Sequence, residues 1–146
     1  MKFDPTSLSV TRTSKGYAVT ERNKTILHIG DSRPEARLAM HLMQHYSMNK
    51  FCRVTETDPE FSFFTSANKS PRGAVGGEDC VAFNPKKVRH VKKGDRYFLV
   101  ERSHSIAALG PNERAAKKVR DAVRDYGFKN ICFIGRPNPS MVYFRR

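Results

Sequence analysis

Residues 126–144 read YGFKNICFIGRPNPSMVYF, and this stretch has a counterpart 80 residues upstream. Four pairs of identical residues stand at the same spacing in the two stretches: Tyr46 with Tyr126, Cys52 with Cys132, Pro59 with Pro139, and Phe64 with Phe144. The same offset extends back to Phe3 and Phe83, and gives twelve identities over 62 positions without a gap. We therefore predict an internal duplication, with repeat 1 at residues 1–64 and repeat 2 at residues 83–146.

Each repeat is too small to be stable alone. A folded unit of about 60 residues buries only about 60% of the surface that its unfolded chain exposes. We expect the two repeats to pack on each other as one globule, with a core of Phe, Tyr and aliphatic residues in a chain that has no Trp. Residues 65–82 contain several Gly, Ser and Pro residues and are predicted to be a flexible linker.

The hydrophobic pattern of repeat 1 predicts the order β-β-β-α-β-β. Residues 7–11 and 17–21 alternate as two strands of a hairpin, and residues 25–29 make a third strand. A capping box begins the helix at Ser32, and apolar residues at three- and four-residue spacings continue it to Tyr46. Two more strands follow the helix. Repeat 2 has the same pattern, so the predicted class is α+β, with antiparallel sheets each covered by one helix and a pseudo-twofold arrangement.

The chain has three cysteines. Cys52 and Cys132 occupy equivalent positions in the repeats, whereas Cys80 stands alone in the predicted linker. An odd count without a C-x-x-C pair argues against a disulfide framework and against a zinc site. We expect Cys52 and Cys132 to be buried thiols. A bond between these two, across the pseudo-twofold axis, is the alternative.

Patterns that indicate catalysis are missing from the sequence. It has no Gly-x-Gly-x-x-Gly or P-loop pattern, and paired carboxylates do not recur in the two repeats. The sequence around His104 lacks the glycine turn and the third group of a catalytic triad. We therefore expect a non-enzymatic protein with no cofactor and no bound metal. No window approaches the run of about 18 apolar residues that spans a membrane, so we expect no membrane partner.

Positive charge is concentrated in repeat 2. Residues 1–64 contain nine Lys and Arg against seven Asp and Glu, a net charge of +2. Residues 83–146 contain sixteen against five, a net charge of +11. A duplicated scaffold that is charged in one copy only indicates that this copy faces a polyanion. A basic surface kept for solubility is the alternative explanation.

The leading hypothesis is that repeat 2 binds nucleic acid, preferably single-stranded RNA or DNA, at an intracellular location. Cations would contact phosphates, while Tyr97 and Tyr143 would stack unpaired bases unless they belong to the core. The alternative is a binding or inhibitor-like module that presents loop 135–140 to an acidic protein or polysaccharide. The candidate nucleic-acid-binding residues are Lys86, Lys87, Arg89, Lys92, Lys93, Arg96, Arg136, Tyr143, Arg145 and Arg146.

Overall fold

A computed structural model describes residues 1–55 and 61–146, and Pro59, one of the duplicated positions, lies outside these described residues. The fold is α+β, as predicted, with two helices and several antiparallel sheets. No helix in the described ranges is long and apolar enough to cross a membrane. The elements are a 3₁₀ turn (Pro5–Ser7), β1 (Leu8–Thr13), β2 (Gly16–Glu21), β3 (Lys24–Gly30), α1 (Arg33–His45), β4 (Lys50–Thr55), β5 (Phe61–Thr65), β6 (Asp79–Ala82), β7 (Arg89–Lys93), β8 (Arg96–Glu101), β9 (His104–Gly110), α2 (Glu113–Tyr126), β10 (Asn130–Ile134) and β11 (Met141–Arg145).

Both helices begin at a capping residue, which is Ser32 for α1, as predicted, and Asn112 for α2. The Ser32 hydroxyl accepts a hydrogen bond from the Glu35 amide at 3.3 Å, and the Asn112 side chain accepts one from the Ala115 amide at 3.1 Å. These bonds satisfy amides that the first helical turn leaves without a partner. Gly127 closes α2 in the left-handed conformation, with φ 64°, which glycine adopts without a Cβ clash.

Two three-stranded sheets, β1-β2-β3 and β7-β8-β9, carry the same local features. In each, a strand-end glutamate accepts the backbone amide of a residue 17 positions earlier at 2.5 Å: Glu21 from Asp4, and Glu101 from Asn84. The arginine after each glutamate lies in a turn with positive φ, 55° and 54°. The recurring Glu-Arg pair therefore has a structural role in both sheets.

The hairpins β4-β5 and β10-β11 lie between two hydrophobic cores. The first core surrounds α1 and the second core surrounds α2. Neighbouring residues of one strand enter different cores: Phe64 and Tyr143 belong to the first core, whereas Phe63 and Phe144 belong to the second. Each hairpin thus packs one face against the helix of its own half and the other face against the helix of the opposite half.

Residues 65–82 contain more regular structure than a flexible linker. Strand β6 pairs with β10, and a disulfide joins Cys80 to Cys132 across this pair. The expectation that Cys80 stands alone in a loop was wrong, and so was the argument against a disulfide. Cys52 is a free, half-buried thiol, so it is not bonded to Cys132. The pairing depends on a strand that has no equivalent in the repeat pattern.

Candidate nucleic-acid interface

Strands β7 and β8 form a hairpin with one face against α2. Leu99 lies in the second core, and the Tyr97 hydroxyl lies 3.4 Å from Glu113 of α2, so both side chains are on the helix side. Because side chains alternate along a strand, Phe98 faces away from the helix. Val91 pairs with Phe98 across the hairpin and shares that side.

The side of this hairpin away from α2 is here called the outer sheet face, and its residues are Arg89, Val91, Lys93, Arg96 and Phe98. Its three cations are exposed, and none is in an ion pair with another described residue. The Lys93 ammonium lies 5.9 Å from the centroid of the half-buried Phe98 ring, a cation–π distance. The face therefore combines available positive charge with an accessible aromatic ring.

The corresponding face in the first half has neither charge nor aromatic residues. An offset of 80 positions places five small or hydroxyl residues there: Ser9, Thr11, Thr13, Gly16 and Ala18. The strand pairing of β1 with β2 resembles that of β7 with β8, so the two faces share a backbone frame and differ in their side chains. Part of the charge difference between the halves is located on this surface.

The candidate cations divide into two groups. Those of the first group lie on β7 and β8 or just before β7, and all are exposed: Lys86, Lys87, Arg89, Lys92, Lys93 and Arg96. Lys92 lies on the helix side of β7, opposite Tyr97, and not on the outer sheet face. Arg136, Arg145 and Arg146 contact other elements. Arg146, which is exposed, donates its backbone amide to the Pro71 carbonyl at 2.7 Å.

Arg136 is held by an ion pair. Its Nε donates to Asp79 at 2.6 Å, its Nη2 bonds the second oxygen of the same carboxylate, and its guanidinium lies 4.4 Å from the centroid of the Phe133 ring. The hydrogen bonds and charge of Arg136 hold the pKa of Asp79 below its ordinary value. The guanidinium fork that suits a phosphate is thus already occupied by a carboxylate.

Tyr143 and Arg145, two of the candidate nucleic-acid-binding residues, have little of their side chains exposed. Tyr143 is 1% exposed and the Arg145 side chain 11%. Both bind Glu78, whose side chain is 4% exposed. Tyr143 is buried in the first core and Phe144 in the second, on opposite faces of β11, and for this reason a base cannot reach the Tyr143 ring.

Glu78 is the centre of a buried polar group, here called the Glu78 cluster. Its carboxylate accepts hydrogen bonds from the Tyr46 hydroxyl at 2.6 Å, the Val75 amide at 2.7 Å, the Arg145 guanidinium at 3.3 Å and the Tyr143 hydroxyl. Burial alone would raise the pKa of Glu78, but these hydrogen bonds and the Arg145 charge outweigh it and lower the pKa. Burial and the same bonds raise the pKa of both tyrosines.

The lowered pKa of Glu78 predicts a pH dependence of stability. The unfolded carboxyl titrates near 4.5, whereas the folded one stays ionised to lower pH. Its contribution to stability is therefore present above about pH 4.5 and is lost as pH falls through the folded pKa. Urea unfolding at a series of pH values should show a smaller loss of stability on acidification in Glu78→Gln than in the wild type. Parallel pH profiles of the two proteins would contradict this assignment.

The Phe98 side chain was missed by the sequence reasoning, which favoured tyrosines as stacking residues. The alternation of β8 contains the signal, because Phe98 shares a strand face with Arg96 while Tyr97 does not.

Two cations of α2 bind other residues of the fold. Arg124 donates to the Val88 carbonyl at 2.6 Å, and Arg120 pairs with its neighbour Asp121 at 2.8 Å.

A group of potential metal ligands occurs next to the Glu78 cluster. Glu78, Cys80 and Cys132 have ligand atoms within 4.8 Å of one another in the described part of the chain. The two sulfur atoms are joined as a disulfide, and the carboxylate already accepts bonds from Tyr46, Tyr143 and others. Since metal binding by cysteine needs the thiolate, these residues do not form a metal site in this state.

Comparisons of this chain with protein-family models, with curated proteins and with solved structures found no match.

Proposed function

We propose that this chain is a non-enzymatic nucleic-acid-binding protein that binds single-stranded RNA or DNA through the outer sheet face. The observation that carries the proposal is the set of three unpaired cations around Phe98. Lysine and arginine gain affinity from neutralising phosphates, and an aromatic ring stacks on an unpaired base for about 1–3 kcal/mol with little sequence preference. The face supplies both kinds of contact on one rigid hairpin.

The proposal includes a duplication of one β-β-β-α-β-β unit, with the copies related by a pseudo-twofold axis. The matched strand positions, capped helices and positive-φ arginines of the two halves support this origin. Duplication left the two scaffolds alike and changed their surfaces separately. Nucleic-acid binding is accordingly a property of repeat 2, and repeat 1 supports it structurally.

Single strands are the proposed ligand because the protein lacks a set of side chains suited to reading a duplex. The exposed residues of α2 include Arg114, Lys117 and Lys118, which carry charge but do not form a set that reads base edges. Reading base edges in the major groove typically requires Asn, Gln or bidentate Arg contacts aligned along a helix. Phe98 requires an unpaired base for stacking, which a closed duplex does not offer.

The test uses repeat 1 as a template for the substitutions. Arg89→Ser with Lys93→Thr installs the residues of the equivalent first-half positions, and Phe98→Ala does the same for the ring. At about 0.15 M salt, Phe98→Ala should weaken binding of a labelled oligouridine about tenfold through the lost stacking. The charge variant should reduce the slope of log affinity against log salt by about 0.7 for each lost phosphate contact.

The matched control removes the same charge from another surface. Lys117→Ala with Lys118→Ala takes two exposed cations from α2 and leaves the outer sheet face intact. If the two charge variants lose the same affinity for the oligouridine and Phe98→Ala has no effect, the protein binds only through a nonspecific basic surface. Duplex binding as tight as single-strand binding, measured by competition at equal length, would overturn the single-strand proposal.

The second candidate function is a module for an acidic protein or polysaccharide. Pro137, Asn138 and Pro139 are exposed in the loop between β10 and β11, which favours presentation of this loop to a partner. In that case Asn138→Ala should weaken partner binding and the outer-face substitutions should not.

A further inference from the structure

A pocket of about 480 Å³ opens beside the turn that precedes β7. It is lined by Ala82, Phe83, Asn84, Pro85, Lys86 and Lys129. Phe83 and Pro85 are buried and form an apolar floor, whereas Asn84 and the two lysines are exposed at the rim. The volume falls within the range of about 300–1,000 Å³ that is typical of small-molecule sites.

Asn84, Lys86 and Lys129 bring hydrogen-bond donors to the rim of this pocket. The Asn84 side-chain oxygen accepts the Lys86 amide at 3.0 Å, which leaves the Asn84 NH₂ group pointing its donors elsewhere. The Glu101 carboxylate next to the pocket already accepts the Asn84 backbone amide. Two ammonium groups and an amide NH₂ therefore remain, and such a set selects an anion with several acceptor oxygens.

The equivalent place in the first half keeps the apolar floor and loses the two ammonium groups. Phe3 and Pro5 correspond to Phe83 and Pro85. Three rim positions change their chemistry: Asn84 corresponds to Asp4, Lys86 to Thr6, and Lys129 to Asn49. The two lysines of the second-half rim are thus absent from the first-half rim, which has a carboxylate. The Asp4 carboxylate there accepts bonds from Thr6 and Ser7.

The pocket is next to the outer sheet face along the chain. Lys86 and Lys87 lead directly to Arg89, the first residue of β7. Val100 pairs with Arg89, and the next residue, Glu101, accepts the Asn84 amide, so Asn84 of the pocket lies at the Arg89 end of the hairpin. An internal phosphodiester carries one negative charge, whereas a terminal phosphomonoester carries about −1.5 to −2 at pH 7 and offers three acceptor oxygens. The charge of the two lysines matches the terminal group better.

We propose that this pocket binds the terminal phosphate of a single strand, with the adjoining sugar or base against Phe83 and Pro85. The inference rests on the proposed function and adds that the protein prefers a single strand that ends in a phosphate. It assigns to Lys129, which follows α2 and lies apart from the hairpin in sequence, a direct contact with the ligand.

The experiment measures the affinity of the full chain for three oligouridines, which carry no terminal phosphate, a 5′-phosphate or a 3′-phosphate. A charge-assisted set of hydrogen bonds should make one phosphorylated form bind about tenfold tighter than the unphosphorylated form. Lys86→Thr with Lys129→Asn, which installs the repeat 1 residues, should make the phosphorylated and unphosphorylated oligomers bind with equal affinity. No preference in the wild type, or a preference unchanged in the variant, would overturn the inference.

A second measurement separates failure of the pocket from failure of the proposed function. Adenosine monophosphate, adenosine and inorganic phosphate are titrated separately, and the backbone amide signals of Phe83 and Lys129 are followed by NMR. The nucleotide should shift these signals at lower concentration than either fragment, and in the double variant the shift of the Phe83 amide should be lost. If the nucleotide binds in this way while oligomers do not bind, the pocket stands and the single-strand proposal fails. Equal binding of inorganic phosphate and the nucleotide would overturn the assignment of a nucleotide ligand.

Discussion

Glu78→Ala is expected to lower the free energy of unfolding by about 3–5 kcal/mol, because it removes one partner from a buried charge pair. The Arg145 guanidinium, 11% exposed, would lose its carboxylate, and the Tyr46 and Tyr143 hydroxyls would lose their acceptor. Glu78 lies outside both repeats but binds residues from each, so its loss affects the whole fold. Urea unfolding followed by circular dichroism measures the change.

Asp79→Ala is the matched control for this prediction. Asp79 is the next residue and also pairs with an arginine, but the side chains of Asp79 and Arg136 are 44% and 43% exposed. Water screens such a pair and solvates either partner when the other is removed. The control should therefore be much closer to wild type than Glu78→Ala. Similar stabilities of the two variants would show that the Glu78 cluster does not hold the fold together.

The elements that sequence patterns predicted correctly depend on nearby residues. Ser32, for example, accepts a hydrogen bond from the amide of Glu35, only three positions away. The Glu78 cluster joins residues far apart in the chain, since Tyr143 is 65 positions from its partner. Cys80 and Cys132 are 52 positions apart. They lie on β6 and β10, and no pattern in the sequence of either strand indicates that the two strands pair. Local patterns predict helices and strands, whereas these contacts depend on tertiary packing.

At the candidate site, too, sequence patterns did not predict the contacts that depend on tertiary packing. The first hairpin of repeat 2 was identified from its charge, and the four candidate cations on it and the two just before it are exposed. The burial of Tyr143 was not predicted, because Tyr143 and Phe144 are buried on opposite faces of β11 and such an apolar run lacks the apolar–polar alternation that marks the solvent side. Arg136 and Arg145 were assigned from charge alone. Their acidic partners, Asp79 and Glu78, come from the segment that was predicted to be a linker.

Each hairpin packs one of its faces against the helix of the opposite half, and Phe63→Ala tests this arrangement. Phe63 belongs to β5 in repeat 1, yet it is 3% exposed in the second core, 4.8 Å from the Tyr126 ring and 5.4 Å from the Phe128 ring, centroid to centroid. Phe63→Ala should cost about 3–5 kcal/mol, because the cavity lies among large side chains that relax only in part. The damage should appear in repeat 2, as faster hydrogen exchange of α2 amides.

Leu38→Ala provides the comparison, because Leu38 is an aliphatic residue of α1 that is 46% exposed. A substitution at such a site should stay within about 0.5 kcal/mol of wild type. Phe63→Ala should also keep a single unfolding transition, since the hairpin layer completes both cores and neither half has a full core without the other. Two separate unfolding transitions would mean that the halves fold independently. The same would follow if hydrogen exchange became faster in α1 alone and stayed unchanged in α2. A single transition with weakened α2 amides would instead establish that a residue of repeat 1 stabilises the half that carries the outer sheet face.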